Sequence, residues 1–367
     1  MKLLVSQRVP AFFRKPFFEA LGQKIELVVT AGEPLEGDSI KTFDSLNNGV
    51  FIKSNIKYFF RGMFWFDLDW KKNIQSCQPD RVVLTPTPRM LSNYLVIRYC
   101  KRHSIKVIGW GMGEMPGMGK LKAFFHLLIL KTLVSRLDCM ISYSSTAQKH
   151  YLNAGMTQAS SYIAYNSTDT AESKRLLAEV QLGSEIKEKV LKKLGLSSDS
   201  VKLLFVGRLT KSKRVDDLIL SLSKIKSNVE LIIVGDGVYK SELEKIANKS
   251  QSKIIFTGHK IGRELAELFY ISDIFILPSL GGLAIQQAMS YGLPVVVSIG
   301  DGTEKDLVTD NYNGRIFESG NFDSMASAVD ELIEDGQLVN LGKNSLSLIE
   351  NRFNIEAMVK DYLIAVG

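Results

Sequence analysis

The stretch from Leu277 to Ser298 constrains the fold most, because it has the pattern of a complete βαβ unit. Its sequence, LPSLGGLAIQQAMSYGLPVVVS, continues an apolar run at 274–277 through two glycines into a helical segment that ends at Gly292. A second apolar run follows at 294–297. Two short apolar runs joined by a helix are typical of neighbouring strands in a parallel sheet. The stretch therefore predicts an α/β fold.

A pair of glycines, Gly281 and Gly282, stands directly before the predicted helix. Free backbone N–H groups and the positive end of the helix dipole accumulate at such a position, which favours the binding of a phosphate. Glycine also lets a ligand approach the backbone closely. The pair predicts a phosphate-binding loop, and an ordinary tight turn between strand and helix is the open alternative.

The rest of the chain repeats this alternation of apolar runs and helical segments. In the first half, the apolar runs of strand length lie at 2–6, 25–29, 81–84, 105–108 and 139–142. Helices are predicted between them, near 10–22, 88–102, 121–137 and 145–154. In the second half, further runs lie at 202–206, 229–234, 254–256 and 274–277. Regular alternation predicts doubly wound parallel sheets, whose ligands bind beyond the carboxyl ends of the strands.

The length of 367 residues fits two domains. We predict an N-terminal domain at 1–168, a C-terminal domain at 169–350, and a terminal helix at 351–367 that crosses back to the first domain. The highly charged segment 169–195 is predicted to be a helical connector. The helix predicted near 10–22 should bury four phenylalanines, at positions 12, 13, 17 and 18.

Composition indicates a soluble intracellular protein, with 45% hydrophobic and 23% charged residues. Cys77, Cys100 and Cys139 are widely separated, which argues against a disulfide framework or a zinc site and for a reducing compartment. The N-terminal MKLLVSQ is too short for a signal peptide and predicts a first strand. The longest apolar stretch, Ala123–Leu130, is far below membrane-spanning length. We expect a cytoplasmic protein.

Charge is distributed unevenly along the chain. Residues 1–160 contain 22 Lys and Arg against 11 Asp and Glu, whereas the remainder contains 24 against 28. A basic first half favours a polyanionic partner such as nucleic acid, anionic lipid or a phosphorylated substrate, with a simple solvated surface as the alternative. Since no nucleic-acid-binding motif is recognised, we predict that nucleic acid is not the partner.

Two segments of the first half combine aromatic or apolar residues with basic ones, at 57–72 and 120–137. Such segments suit interfacial helices on an anionic membrane, and core helices are the equal alternative. The first contains the triplet Asp67-Leu68-Asp69, which we interpret as a solvated helix face and not as a metal-binding motif. The four histidines share no metal-ligand spacing, so no metal site is predicted.

Charged residues in two predicted loops are candidates for ligand binding. Gly207 ends a strand, and Arg208 and Lys213 follow it in the loop. A guanidinium fork and an ammonium point charge together suit a diphosphate. Glu114 is the acid of the glycine-rich loop 109–120, and it is a candidate to bind an acceptor hydroxyl or else a plain surface carboxylate. The glycine spacing of that loop does not fit a dinucleotide site.

Four motifs of the second half occur in the order FVGRLTKSKRVDDLI, IIVGDG, IFTGHKIGRELAELFYISDIFILPS and QAMSYGLPVVVS. Together they resemble the glycosyltransferase family 4 (group 1) enzymes of the GT-B fold. The resemblance implies two Rossmann-like domains that face each other across a cleft. It further implies that the second domain holds a nucleotide-sugar donor and the first an acceptor.

The resemblance also implies roles for individual residues. Arg208 and Lys213 match the basic pair that grips the diphosphate of the donor. Backbone contacts to the donor fall on Gly207, Gly281, Gly282 and Leu283, and contacts to the nucleobase fall on His259 and Lys260.

The chain departs from the family pattern at three places. Two glutamates eight residues apart are usual, but Gln287 takes the place of the second, where it still offers hydrogen bonds to ribose. The first glutamate, which holds the donor sugar, has no counterpart, because the loop PSLGGL is shorter than in the family; an ungapped match gives Ser279. The usual histidine of the first domain is replaced by Trp110 or Met112, and we predict that Trp110 and Glu114 contact the acceptor.

The resemblance implies retaining transfer of a sugar from a UDP- or GDP-sugar to a glycan or lipid-diphosphate-linked acceptor, in bacterial surface polysaccharide or lipopolysaccharide biosynthesis. No metal and no further cofactor is expected, because protein cations already neutralise the diphosphate. The basic first domain predicts peripheral association with the inner face of the cytoplasmic membrane. A catalytically inactive nucleotide-sugar-binding homologue is the alternative function.

Overall fold

The computed structural model describes residues 1–38, 40–113, 119–183 and 185–367. The chain divides into two compact units. Unit 1 comprises Met1–Asp169 together with Ile355–Gly367, and unit 2 comprises Thr170–Asn354.

Unit 1 contains a seven-stranded sheet in the order β3-β2-β1-β6-β7-β8-β9, and every pair of neighbouring strands in it is parallel. A two-stranded antiparallel hairpin, β4–β5, is separate from it. The elements are β1 Lys2–Gln7, α1 Lys15–Gly22, β2 Glu26–Ala31, β3 Val50–Lys53, β4 Ile56–Phe59, β5 Phe64–Asp67, α2 Trp70–Cys77, β6 Arg81–Leu84, α3 Ser92–Arg102, β7 Lys106–Gly111, α4 Lys120–Val134, β8 Cys139–Ser142, α5 Ser145–Asn153 and β9 Ser161–Ile163.

Unit 2 contains a six-stranded parallel sheet in the order β12-β11-β10-β13-β14-β15. Its elements are α6 Thr170–Gln181, α7 Ile186–Leu194, β10 Val201–Val206, α8 Val215–Ser221, β11 Val229–Val234, α9 Lys240–Ala247, β12 Ile254–Gly258, α10 Gly262–Ile271, β13 Ile274–Leu277, α11 Gly282–Ser290, β14 Val295–Ser298, α12 Glu304–Leu307, β15 Gly314–Phe317, α13 Phe322–Glu334 and α14 Leu338–Asn351. The last helix, α15 Ile355–Val366, belongs to unit 1.

Both sheets confirm the predicted α/β fold. Strands β13 and β14 are buried along their whole length, as in sheets that helices cover on both faces. In unit 2 the strand order reverses between β10 and β13, and in unit 1 between β1 and β6. We call each of these positions a switch point; in open α/β sheets, ligands bind there, beyond the carboxyl ends of the strands.

The prediction for the first helix is half correct. Phe17 and Phe18 are buried in the core of unit 1, but Phe12 and Phe13 remain 56% and 45% exposed. The reason is that α1 begins at Lys15, so the first two phenylalanines lie in a preceding 3-10 turn and not on the buried face of the helix.

The aromatic segment 57–72 is not a continuous helix. It forms the β4–β5 hairpin and the start of α2, with a turn in which Phe60 and Arg61 have positive φ. Asp67 is buried in β5, where its carboxylate accepts hydrogen bonds from Ser54 Oγ at 2.5 Å and from the Asp69 N–H at 2.9 Å. The interpretation of residues 67–69 as a solvated helix face is therefore wrong.

Candidate functional site

The switch point of unit 2 gathers most of the predicted donor-binding residues. The loop after β10 carries Gly207, Arg208 and Lys213, and the loop after β13 carries Ser279 to Gly282. Because β10 and β13 are parallel neighbours, these two loops emerge at the same edge of the sheet.

Lys213 connects the two loops. Its ammonium Nζ donates a hydrogen bond of 2.5 Å to the main-chain oxygen of Leu280, and lies 3.4 Å from the position of a Cβ built on Gly281. Partial burial lowers the pKa of Lys213, and the positive charge of Arg208 lowers it further. The structure thus brings the two predicted cations together beside the glycine pair.

The other cations of the same loop are neutralised by neighbouring acids. Lys211 forms an ion pair of 2.5 Å with Asp216, and Arg214 one of 2.5 Å with Asp217. Lys213 has no carboxylate within ion-pair distance in the part of the chain that the structure describes. Its charge therefore remains available to an anionic ligand.

Close packing between two loops explains why glycine stands at the start of α11. A Cβ at Gly282 would lie 2.6 Å from Thr303 Cγ2, and one at Gly300 would lie 2.5 Å from the Cα of Leu280. No side chain fits at either position without displacement of the neighbouring loop. The loop after β14 thereby supports the loop after β13.

The N-terminus of α11 has the properties of an anion-binding position. Gly281 is its N-cap and supplies no capping side chain, and α11 extends for nine residues. The amide groups of the first turn and the positive end of the helix dipole are therefore directed towards the loop that contains Lys213. Leu283, in the first turn, is partly exposed.

The remaining predicted donor contacts lie farther along the same edge or on α11. His259 is exposed directly after β12, and the Lys260 side chain forms an ion pair of 2.9 Å with Glu264. Gln287 is partly exposed on α11. Contacts of these residues with a nucleotide stay predictions.

Glu304 is a buried acid that the sequence analysis missed. It is fully buried at the start of α12, where Oε2 accepts the Gly302 N–H at 3.0 Å and Oε1 has no hydrogen-bond partner in the described structure. Burial raises the pKa of Glu304, with a further contribution from Asp301. Its charge also acts on Lys213, whose pKa it raises. The sequence feature that could have indicated this residue is an acid in the first turn of a helix that follows a glycine-containing loop.

Ser279, which an ungapped match places at the absent family glutamate, is also buried, and its Oγ has no partner among the described residues. Its contact with a donor stays a prediction.

The two predicted acceptor contacts of unit 1 have different outcomes. Trp110 is fully buried in β7, with its ring 5.2 Å from that of Tyr362 and 5.3 Å from that of Phe17. It is a core residue and offers no exposed face to an acceptor, so its predicted role is not supported by its position. Glu114 lies outside the described residues. Met112, the alternative to Trp110, is exposed.

The described ranges contain no cluster of three or more His, Cys, Asp or Glu side chains placed to hold a metal ion. Nor does any helix within them have the length and apolar character required to cross a bilayer. The three cysteines are free and buried.

Comparison with known proteins matches residues 186–350 to the family model "Glycosyl transferases group 1". An uncharacterized glycosyltransferase of Methanocaldococcus jannaschii is 29% identical over 77% of this chain and 73% of its own length. A UDP-Gal:alpha-D-GlcNAc-diphosphoundecaprenol alpha-1,3-galactosyltransferase of Escherichia coli is 31% identical over 47% of this chain and 46% of its own.

Solved structures match along the entire chain. Anabaena HepE in complex with UDP has a TM-score of 0.77 at 17% identity and covers 100% of this chain and 99% of its own. The lipopolysaccharide outer core galactosyltransferase WaaB has a TM-score of 0.72 at 16% identity, with coverage of 100% and 99%. At these identities the likeness shows the fold. The predicted resemblance to the group 1 glycosyl transferases is confirmed over residues 186–350, and the chain has the predicted GT-B fold.

Proposed function

We propose that the protein is a retaining glycosyltransferase that moves a sugar from a UDP- or GDP-sugar to a glycan carried on a lipid diphosphate. The observation that carries the proposal is the position of Lys213 beside the N-terminus of α11, with Arg208 close enough to lower the pKa of Lys213. These cations and the helix dipole form a preorganised environment for a diphosphate leaving group. Relatives support the choice of ligands: HepE was solved with UDP, and the E. coli relative acts, by its name, on a diphosphoundecaprenol-linked sugar.

The proposed reaction needs charge stabilisation more than it needs a side-chain base. The bond between the anomeric carbon and the diphosphate oxygen breaks, and a bond to the acceptor oxygen forms on the same face. The acceptor proton passes to the departing diphosphate oxygen, so that the configuration is retained. Lys213 and Arg208 stabilise the negative charge that develops on the diphosphate, as the donors of an oxyanion hole do.

A lipid-linked acceptor is supported by α4. Its buried face contributes Leu130, Leu133 and Val134 to the core of unit 1. Its opposite face exposes an apolar stripe, Leu121, Phe124, Phe125, Leu128 and Ile129. Lys122 and Lys131 lie on either side of this stripe, since they are offset from its centre by about a quarter turn in opposite directions. An exposed apolar stripe flanked by lysines suits the surface of an anionic membrane.

We place the protein on the cytoplasmic side of the membrane, in surface polysaccharide or lipopolysaccharide assembly. The free cysteines suit a reducing compartment. The lipopolysaccharide transferase WaaB shares the fold.

A transfer assay tests the proposal. The full chain is incubated with a lipid-diphosphate-linked glycan and, in turn, with UDP-glucose, UDP-galactose, UDP-N-acetylglucosamine and GDP-mannose. We expect one donor to be consumed, with an α-linked product from the α-linked donor and the same rate after treatment with EDTA. An inverted product, or a strict requirement for Mn²⁺ or Mg²⁺, would contradict the proposed mechanism.

A catalytically inactive nucleotide-sugar-binding protein is the second candidate. It is favoured by the sequence at the two family glutamate positions, where Ser279 and Gln287 carry no charge. The assay separates the two functions, because a binding protein would bind a nucleotide sugar in a thermal-shift measurement but neither transfer nor hydrolyse it.

A further inference from the structure

Arg14 occupies a ligand-facing position in unit 1 that the proposed function does not use. It lies between β1 and α1, in the loop that leaves the switch point of the unit 1 sheet. Trp110, near the carboxyl end of β7, and Tyr143, directly after β8, lie against it. These three residues therefore meet at the edge of a parallel sheet where ligands bind.

Aromatic rings and one hydrogen bond fix the orientation of the Arg14 guanidinium. Its central carbon lies 4.5 Å from the centroid of the Trp110 ring, 5.1 Å from that of Tyr143 and 5.5 Å from that of Phe13. Nη2 donates a hydrogen bond of 2.5 Å to the Tyr143 hydroxyl. A planar cation held in this way is preorganised to bind a second planar or tetrahedral group through its free N–H groups.

Within the described ranges, the Arg14 side chain has neither the acid nor the carbonyl partner that nearby arginines have. Arg8 forms an ion pair of 3.1 Å with Asp38, whereas Arg89 has a carbonyl partner and donates from Nη2 to the main-chain oxygen of Gly62 at 2.9 Å. Arg14 has neither a carboxylate nor a carbonyl partner among the residues described, and its Nη1 is buried without any hydrogen bond. A partly buried cation without a counter-charge favours the binding of an anion.

Two further hydrogen-bond donors of the same cluster are also unsatisfied. The indole N–H of Trp110 and the hydroxyl of Tyr362 belong to fully buried side chains and have no partner in the described structure. Burial raises the pKa of Tyr362, and the positive charge of Arg14 opposes this rise, so the two groups interact. The interior around Arg14 thus contains more unsatisfied donors and positive charge than negative charge, although the Trp110 and Tyr362 groups are buried and do not themselves contact a ligand.

We propose that Arg14 is a binding residue for an oxyanion of the acceptor, either a phosphate or a carboxylate. The proposal rests on the proposed function, because it takes unit 1 as the acceptor-binding unit. Tyr143 and Trp110 are positioning residues that hold the guanidinium plane. The recognised group is the same in both cases, two oxygens that share a negative charge and accept paired N–H donors.

Titration of the full chain with inorganic phosphate tests the proposal. The response is read by tryptophan fluorescence, because Trp110 lies beneath Arg14, at an ionic strength held constant with chloride and in the presence of saturating UDP. We expect saturable binding that is at least tenfold weaker in Arg14→Gln. Arg14→Lys keeps a cation over the ring but loses the fork, so it should bind phosphate more weakly than the unmodified chain and more tightly than Arg14→Gln.

Arg98→Gln is the matched control, since it removes the same charge from an exposed position on α3, and it should bind phosphate as the unmodified chain does. A parallel titration with glucuronate separates the sources: a stronger response to glucuronate assigns the group to an acidic sugar, and a stronger response to phosphate assigns it to a phosphate.

The proposal is overturned if the unmodified chain shows no saturable response to either anion, or if a folded Arg14→Lys and Arg14→Gln both bind as it does. If Arg14→Gln does not fold, the comparison of Arg14→Lys with the unmodified chain decides whether the proposal holds. If UDP does not bind to the chain, that result counts against the proposed function and not against the role of Arg14. The phosphate titration is then carried out without UDP.

Discussion

The ammonium of Lys213 donates a 2.5 Å hydrogen bond to the main-chain oxygen of Leu280, across the switch point of unit 2. One of its three protons is thereby used to hold the loop after β13, and two remain for a ligand. The same loop places Gly281 and Gly282 at the start of α11. A single side chain therefore both shapes the helix-terminal loop and supplies charge to it.

Loss of either cation should abolish most of the catalysis. We expect Arg208→Ala and Lys213→Ala each to reduce the rate of transfer by roughly 10²–10³, the usual effect of removing one preorganised donor from a transition state. Initial rates of nucleotide release measure this effect, with melting temperature as the check on folding. Lys211→Ala is the control, because it removes the same charge from the same loop at a residue that is already paired with Asp216 at 2.5 Å. Normal turnover in both variants would remove the proposed mechanism.

The glycine at the start of α11 should be required for donor binding. Gly282→Ala places a methyl group 2.6 Å from Thr303 Cγ2, so either the loop after β13 or that after β14 must move. We expect UDP affinity, measured by calorimetry, to fall at least tenfold, and Thr303→Ala in the same chain to restore part of it. Gly183→Ala is the control, since a Cβ there meets ordinary contacts at 3.5 and 3.6 Å. Unchanged affinity in Gly282→Ala would show that this close approach has no function.

Burial of Glu304 predicts a specific dependence of stability on pH. Its pKa is raised above the ordinary 4.5, so the folded state favours the protonated acid. This contribution to stability is fully present below about pH 4.5 and is lost as pH rises through the folded-state pKa.

Glu304→Gln resembles the protonated side chain and keeps an acceptor for the Gly302 N–H. We therefore expect the difference in free energy of unfolding between Glu304→Gln and the unmodified chain to shift in favour of the variant as pH rises. Urea titrations between pH 4 and 8 measure this difference. If the variant instead loses stability relative to the unmodified chain at neutral pH, the ionised form is the one that the fold favours.

The apolar stripe of α4 should determine binding to membranes. Phe124 and Leu128 are both exposed, and burial of one such side chain is worth roughly 1.5–3 kcal/mol. We expect Phe124→Ser/Leu128→Ser to bind anionic vesicles at least tenfold more weakly in flotation, and binding of the unmodified chain to weaken with salt. Leu95→Ser, an exposed position on α3, is the control. Equal flotation of all three proteins would contradict a role for α4.

The fold could largely be predicted from sequence because covered parallel strands form continuous apolar runs. The runs at 81–84 and 139–142 coincide with β6 and β8. Strand β3 was missed because it lies at an edge of the sheet and is nowhere fully buried. The β4–β5 hairpin was missed because non-glycine residues adopt positive φ at its turn, which sequence does not indicate.

The candidate donor site could be predicted only where the relevant residues lie close together in the sequence of one loop. Arg208, Lys213 and the glycine pair are local motifs, and the structure places them together. Glu304 could not be predicted, because its burial depends on how the loop after β14 packs in the tertiary structure. Arg14 was missed for the same reason, since Trp110 and Tyr143 are distant from it in sequence.

A structure of the chain with UDP tests the central claim most directly. The account predicts that the diphosphate lies within hydrogen-bond distance of Lys213 Nζ and of the backbone N–H groups at Gly282 and Leu283. A diphosphate bound away from the start of α11, with Lys213 still bonded only to Leu280, would contradict it.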